Sequence, residues 1–380
     1  MKIAFVLYKY FPFGGVQRDC LHIAKVMHSR GHQVELLCIE WNGEEPAGIP
    51  VHRFAVSGIT NHRRYRNFAK KILRYCHQQA IEGVVGFNKL PGLDLYFAAD
   101  GCYQQKSAAK SWLYRLTPRY QYFLADEKSV FGLSAQTHIL VLVQREMLNY
   151  QRVYQTPDER FTLLPPGITE DRKAPANSEE VRVGCRQELG IRPDEIMLLM
   201  VGSGFKTKGL DRALFAIHSL PRELLQKIRF VVIGKDNFEP FRRLSGRLNL
   251  TEKIIFFPGR DDIPRFLQAA DLLVHPAYYE NSGMILLEAL VAGLPVLTTD
   301  ACGYAHYIID EDCGEVIAEP YQQQMMDLAL ERMLTGGQYQ RWRSNGIAFG
   351  QRANLYKLHE IAADAVERVV TDKSQKSLVG

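Results

Sequence analysis

The 380-residue chain lacks any run of eighteen uncharged apolar residues, so no membrane-spanning helix is expected. Its first fifteen residues, MKIAFVLYKYFPFGG, lack the length and the small-residue cleavage site of a signal peptide and read instead as a first buried strand. Cysteine is sparse and odd in number: seven, at positions 20, 38, 76, 102, 185, 302 and 313. No CxxC pair occurs, which excludes a zinc knuckle and a disulfide framework; several of the thiols sit in apolar runs as small core residues, and a reducing, cytoplasmic location is expected. No internal repeat, no low-complexity segment and no histidine cluster at metal-ligand spacing is present. The one formal DxD, Asp310-Glu311-Asp312, falls in an acidic turn between apolar runs, so no metal and no cofactor are expected.

What is present is ordinary globular composition, 46% hydrophobic and 23% charged, over a length that suggests two domains. The net charge of +5 hides an asymmetry. Residues 1–165 carry 21 Lys and Arg against 13 Asp and Glu; residues 166–380 carry 26 against 29. The basic half is expected to meet something anionic. A nucleic acid is not that partner: the basic segments carry no nucleic-acid motif and the second half is acidic.

Short hydrophobic runs alternate with helical periodicity in both halves. In the first, strands are expected at 3–8, 34–39, 51–56, 84–87, 94–98, 138–142 and 161–164, with a helix over 16–29. After a polar, irregular stretch at 169–180, strands are expected at 197–201, 229–233, 254–257, 272–275 and 295–299, with helices at 210–220, 238–248 and 262–270. Such alternation means α/β architecture: two doubly wound parallel sheets, with ligands at the carboxyl ends of the strands and a cleft between the domains. The expected domains are 1–165 and 166–354, with a last helix at about 355–375 crossing back onto the first.

Three stretches carry the chemistry. FPFGGVQRD (11–19) follows the first strand and opens a helix; Gly14 and Gly15 read equally as a tight turn or as backbone brought close to an anion. VGSGFKTKGLDR (201–212) repeats the arrangement. Lys208 there can lie over a diphosphate or stand solvated, and Leu210, where a P-loop needs lysine, excludes an ATPase. HPAYYENSGMILLEALVAGLPVLTT (275–299) puts Glu280 before a helix and Glu288 inside an apolar one. Ser282 is expected to cap that helix, leaving the N–H groups of Gly283, Met284 and Ile285 for a phosphate or sugar hydroxyls. Paired hydroxyls suit a carboxylate, so the two glutamates read as one for each sugar of a nucleotide-sugar or, for Glu280 more readily than for Glu288, as a surface carboxylate beside a helix cap. A buried Glu288 needs a partner.

Gly14-Gly15, Lys208-Gly209 and Glu280-x7-Glu288 together resemble the retaining glycosyltransferases of family four, which have the GT-B fold: two Rossmann-like domains facing across a cleft. The longer strings YKYFPFGGVQRD, VGFNKLPGLDLYFAAD, LLPPGI and CGYAHYI resemble the branch that glucosylates heptose of the lipopolysaccharide core, over essentially the whole chain. The resemblance implies a UDP-glucose donor bound by the second domain, a heptosylated lipid A-core acceptor bound by the first, and retention at the anomeric carbon. Glu288 would then bind the ribose, Glu280 the glucose, Lys208 the diphosphate and Gly15 N–H a phosphate oxygen, with Arg260 and Asp261 beside the uracil. Many relatives carry an arginine where this chain has Gly202, and neighbouring Ser203 is no cation; Arg172 could supply that charge. Asp100 stands where many relatives have a histidine, and Asp19 and Asp100 are candidate acceptor contacts. Rivals are another donor such as UDP-galactose, a polysaccharide acceptor, or a nucleotide-sugar-binding regulatory protein without turnover.

Two basic segments remain. Residues 61–75 read as a basic amphipathic helix. Residues 103–132 combine five Lys and Arg with seven aromatics. Lys106, Lys110, Trp112, Tyr114, Arg115, Arg119 and Tyr122 read either as contacts to an anionic inner-membrane surface, which a lipid-anchored acceptor requires, or as part of a helical lid. A peripheral place on the cytoplasmic face of the inner membrane follows from the first reading.

Overall fold

The computed structural model describes residues 1–12, 14–108 and 110–379. It divides into two compact units, Met1–Pro166 with Lys357–Gly380, and Gly167–Tyr356.

The first unit is built on a seven-stranded sheet whose order is Val51–Arg53, Gln33–Cys38, Lys2–Val6, Gly83–Gly86, Leu95–Ala98, His138–Val141, Phe161–Leu163. Every pairing is parallel. Parallel strands covered on both faces must be apolar throughout, and Ile3 to Val6, Leu95 to Ala98 and Ile139 to Val141 are fully buried. Helix Leu358–Val379 packs on helix Gly15–Ser29 within this unit. Gly83 suits that docking: a Cβ there would collide with Val370.

The second unit has a six-stranded sheet ordered Ile254–Phe257, Ile228–Ile233, Ile196–Val201, Leu272–His275, Val296–Thr299, Gly314–Ile317, again parallel at every pairing. One core cluster fills the face beneath helices Leu210–His218 and Gln323–Thr335.

Most expected strands lie within two residues of the observed ones. Two expectations change. The stretch at 169–180 is not irregular: it holds a 3-10 turn, Glu170–Arg172, and opens helix Ser178–Glu188. The strand Gly314–Ile317, whose residues are mostly half-buried, was not expected, because an edge strand beginning at a positive-φ glycine carries a weak hydrophobic signal. All seven cysteines are buried and unpaired. Among the described residues no helix is long and apolar enough to cross a membrane.

Candidate active site

In the second sheet the first strand, Ile196–Val201, lies in the middle, with Ile228–Ile233 on one side and Leu272–His275 on the other. The chain therefore winds in opposite directions from it, and the crevice of such a sheet opens at the carboxyl ends of the two diverging strands. The loops there are 202–209 and 276–283. Gly209 (φ +77°) brings them together, since a Cβ on it would collide with the Pro276 carbonyl. Tyr278 N–H donates to the Thr207 carbonyl at 2.8 Å. Arg212, sandwiched between the rings of Tyr278 and Tyr321 at 3.6 and 3.5 Å, donates to the Pro276 and Ala277 carbonyls. Nothing in the bare sequence singles out Arg212: the signal is only its place at the end of the 201–212 stretch.

The loop contact sets Lys208 against Glu280 as an ion pair. Glu280 is held at its backbone, donating to Ala301 and accepting from Gly303, both at 3.2 Å. His275 Nε2 lies 3.6 Å from the Glu280 carboxylate, and neither ring nitrogen of this fully buried histidine has a hydrogen-bond partner among the described residues. Burial and then the Lys208 charge push His275 down to about 3, so the ring is neutral. Burial pushes the Lys208 ammonium down to about 8. The carboxylate beside it favours the charged form, so Lys208 is a cation at neutral pH.

Helix Met284–Val291 begins here. Ser282 does not cap it: the cap residue is Gly283, in the left-handed conformation (φ +84°), which has no side chain to cap with. The left-handed glycine moves Ser282 outside the cap position, and the Ser282 carbonyl accepts from Tyr304 N–H instead. Helix Leu210–His218 likewise starts from left-handed Gly209 without a side-chain cap. Both helices present uncapped positive ends, the geometry that takes an anion. One further turn along, Glu288 is 8% exposed and finds its partner: Arg172 Nε lies 3.7 Å from its carboxylate. Arg172 is itself buried, and its Nε and Nη1 make no hydrogen bond among the described residues.

Other expected residues are placed differently. Arg260 follows strand Ile254–Phe257 but grips Asp262 with two hydrogen bonds of 2.6 and 2.7 Å, while Asp261 is exposed. Ser203 accepts from Lys235 N–H at 3.1 Å. Asp312 is paired with Arg341, and Glu311 with Arg352.

In the first unit Gly14 is the cap residue of helix Gly15–Ser29, again with no side-chain cap. A Cβ on Gly15 would meet nothing within 4 Å, so the packing of this unit does not itself require glycine there. Asp19 is engaged by His359 of the last helix at 3.0 Å. Asp100 is exposed at the end of strand Leu95–Ala98, with its carbonyl fixed by Tyr150 OH at 2.6 Å. The 103–132 segment forms helices Tyr103–Ser107, Trp112–Arg115 and Pro118–Phe131. Trp112, Leu113 and Leu116 are 69%, 59% and 66% exposed, and Lys106, Lys110, Arg115 and Arg119 are exposed beside them. Tyr122 is not: it is buried, 4% exposed, because it lies beneath Arg66 of the neighbouring helix. Tyr114 is half-buried, its hydroxyl 3.0 Å from that of Tyr103.

Two doubly wound parallel sheets, with paired cations and carboxylates and uncapped helix ends at a strand switch point, define the GT-B class of glycosyltransferase. Residues 185–349 match the family described as glycosyl transferases group 1. The lipopolysaccharide glucosyltransferase WaaG of Escherichia coli (strain K12) is 43% identical over 96% of this chain and 98% of its own length. The crystal structure of WaaG superposes with a TM-score of 0.92 over 96% of this chain and 99% of that one. Anabaena Alr3699/HepE, 17% identical with a TM-score of 0.74 over 97% of this chain and all of that one, shares the fold alone. The chain belongs to the WaaG family of group 1 glycosyltransferases and is a glycosyltransferase.

Proposed function

We propose that the chain transfers glucose from UDP-glucose to a heptose of the lipopolysaccharide inner core, with retention at the anomeric carbon, at the cytoplasmic face of the inner membrane. The observation that carries the reading is the Lys208–Glu280 pair at the switch point, with Glu288–Arg172 one helix turn beyond, in a chain 43% identical to a lipopolysaccharide glucosyltransferase.

In this reading the second unit binds the donor. Glu288 accepts from the ribose hydroxyls and Glu280 from the glucose hydroxyls. The diphosphate lies among Lys208, Arg172, Ser203 and the first-turn N–H groups of helix Met284–Val291, where Gly283, Met284 and Ile285 sit. Arg260 and Asp261 take the uracil through backbone groups. The chemical task is to stabilise the charge that grows on the leaving diphosphate; a positioned cation and two helix ends meet it without metal. Donor binding draws Lys208 from Glu280 toward phosphate and frees the carboxylate for the sugar. The first unit binds the acceptor, with Asp100 and Asp19 as contacts and the uncapped end of helix Gly15–Ser29, at Gly14 and Gly15, offering N–H groups to an anion. The exposed Trp112, Leu113 and Leu116, with Lys106, Lys110, Arg115 and Arg119, touch the anionic bilayer that carries the lipid-anchored acceptor.

The test is UDP release by purified protein in EDTA, with UDP-glucose or UDP-galactose and heptose-terminated core lipid. Acceptor-dependent release with UDP-glucose, lost in Glu280→Gln, is expected. Release only with UDP-galactose would change the donor; release that needs added divalent metal would overturn the metal-free step.

A further inference from the structure

We infer that helix Asn61–Gln78 docks on an anionic bilayer through a stripe of unpaired cations, as a second contact beside the 112–116 segment. The inference rests on the membrane reading above. The helix carries six Lys and Arg and no Asp or Glu. The fold employs two of the six: Arg64 is paired with Glu40 at 3.0 Å, and Lys71 donates to the Ala55 carbonyl at 2.6 Å. The other four, Arg63, Arg66, Lys70 and Arg74, are exposed and have no ion pair among the described residues.

Their spacings of three, four and four residues put them on one face. The opposite face, Phe68, Ala69, Ile72 and Cys76, is buried in the core of the unit. Arg63, Lys70 and Arg74 therefore point away from the protein, while Arg66 also lies over Tyr122 of the neighbouring helix. Leu73, 43% exposed, lies on the stripe, and Ile59, 96% exposed, precedes the helix. A solvated helix face ordinarily sets acids four residues from its bases. Here Arg66, Lys70 and Arg74 repel along the helix, and anionic headgroups remove that repulsion. The stripe also continues the proposed membrane segment. Helix Pro118–Phe131 packs beside it, with the Arg66 guanidinium 5.3 Å over the Tyr122 ring, and exposes Arg119 and Lys128. Cations across two adjacent helices with apolar side chains at one end match a bilayer interface.

The test is binding to phosphatidylcholine vesicles with and without phosphatidylglycerol at low salt. It compares the wild-type protein with the triple variant Arg63→Gln/Lys70→Gln/Arg74→Gln. A control triple variant, Arg222→Gln/Arg243→Gln/Arg247→Gln, removes the same charge from exposed positions of the second unit. Each headgroup-facing charge is worth roughly fivefold in partitioning, so the stripe variant is expected to lose at least about tenfold on anionic vesicles and the control less than about twofold. Equal losses in the two would mean a net-charge effect and overturn the inference. Unchanged vesicle binding in the stripe variant, with saturation by core-lipid acceptor weakened, would assign the stripe to the acceptor and overturn it as well. If Trp112→Ala weakens binding and the stripe variant does not, the membrane reading survives and the stripe falls; if the wild-type protein ignores anionic vesicles, both fall.

Discussion

The two edges of the second sheet treat buried charge in opposite ways. At the amino edge, Asp271 accepts from Arg182, from Arg186 at 3.1 Å and from Met197 N–H at 2.7 Å. Arg186, 6% exposed, also donates to the Ala269, Arg192 and Glu195 carbonyls. Glu195 accepts from Arg229 at 2.9 Å and Arg192 N–H at 2.8 Å. At the carboxyl edge, Arg172 is 7% exposed, as buried as Arg186, yet among the described residues two of its nitrogens have no hydrogen bond, and both ring nitrogens of His275 are without one. Desolvated polar groups are ordinarily satisfied because an unmade hydrogen bond costs about 1–3 kcal/mol. The amino edge is finished as a structural joint between helix Ser178–Glu188 and the sheet. The carboxyl edge keeps unmet hydrogen-bonding capacity, which the proposed nucleotide-sugar donor would complete.

The largest effect should come from breaking the carboxyl edge at its cation. Lys208→Ala is expected to lower kcat about 10²–10³-fold, the usual loss when a positioned charge is removed from a developing anion, and to lower the thermal midpoint as well, because Glu280 loses its ion-pair partner. The profile of kcat/KM against pH sharpens this. Lys208 is active as the ammonium and burial puts it at about 8, so the rate is expected to fall as pH rises through about 8. His275, pushed down to about 3, adds no limb near neutrality. In Lys208→Arg the alkaline limb should disappear. Full kcat in Lys208→Ala, with a lower melting temperature, would make the pair structural like the amino edge.

Asp271→Ala is the mirror experiment. It leaves Arg182 and Arg186 without their carboxylate, and uncovering a buried charge costs about 3–5 kcal/mol. A drop in thermal midpoint of roughly 10 °C is expected, while kcat measured well below that midpoint stays near wild type. A kcat loss in protein that is still folded would erase the distinction between the edges.

Arg172 and Glu288 permit a finer cut. Arg172→Gln is expected to raise the donor KM about tenfold and also to destabilise, since Glu288 loses its partner. Adding Glu288→Gln should restore the stability and not the affinity. A double-mutant cycle separates the two readouts, and affinity recovering together with stability would show the pair to be structural.

How much of this was legible beforehand follows the range of each interaction. Strands such as Leu272–His275 and Val296–Thr299 are apolar runs between turns, so local pattern reveals them. The parallel order follows from alternation, and the switch point follows from the order. Glu280 and Glu288 stood out as carboxylates beside an apolar helix, and Lys208 as a lysine before a glycine. Local pattern failed where partners are remote in sequence. Arg172 meets Glu288 across 116 positions, and only the fold closes that distance. Tyr122 read as interfacial because it lies among aromatics and arginines, yet Arg66, from another helix, covers it. Ser282 looked like a cap by residue type, but the left-handed Gly283 takes that place.

The smallest expected effect lies in the first unit, where two neighbouring carboxylates repeat the contrast. Glu127 is fully buried and accepts from Lys89, the N–H groups of Tyr103 and Gln104, and Tyr154 OH. Burial alone would raise it; Lys89 and these donors hold it below the usual carboxylate range. Asp126 is 7% exposed, its Oδ2 has no hydrogen bond among the described residues, and burial pushes it up to about 6 against the opposing pull of the Tyr122 hydroxyl and Arg66. The folded state therefore holds the Asp126 proton more tightly than the unfolded chain, whose aspartate titrates near 3.9. Stability from this residue is present below about pH 4 and is lost as pH rises through about 6. A rise of that size corresponds to at most about 3 kcal/mol. Asp126→Asn should thus stabilise the protein by about 1–2 kcal/mol at pH 8 and by only about a third of that at pH 4.5, read as the difference in thermal midpoint from wild type at each pH. The same gain at both would mean that Asp126 is not the titrating group; a loss at pH 8 would mean that its carboxylate, like that of Glu127, has a partner the fold relies on.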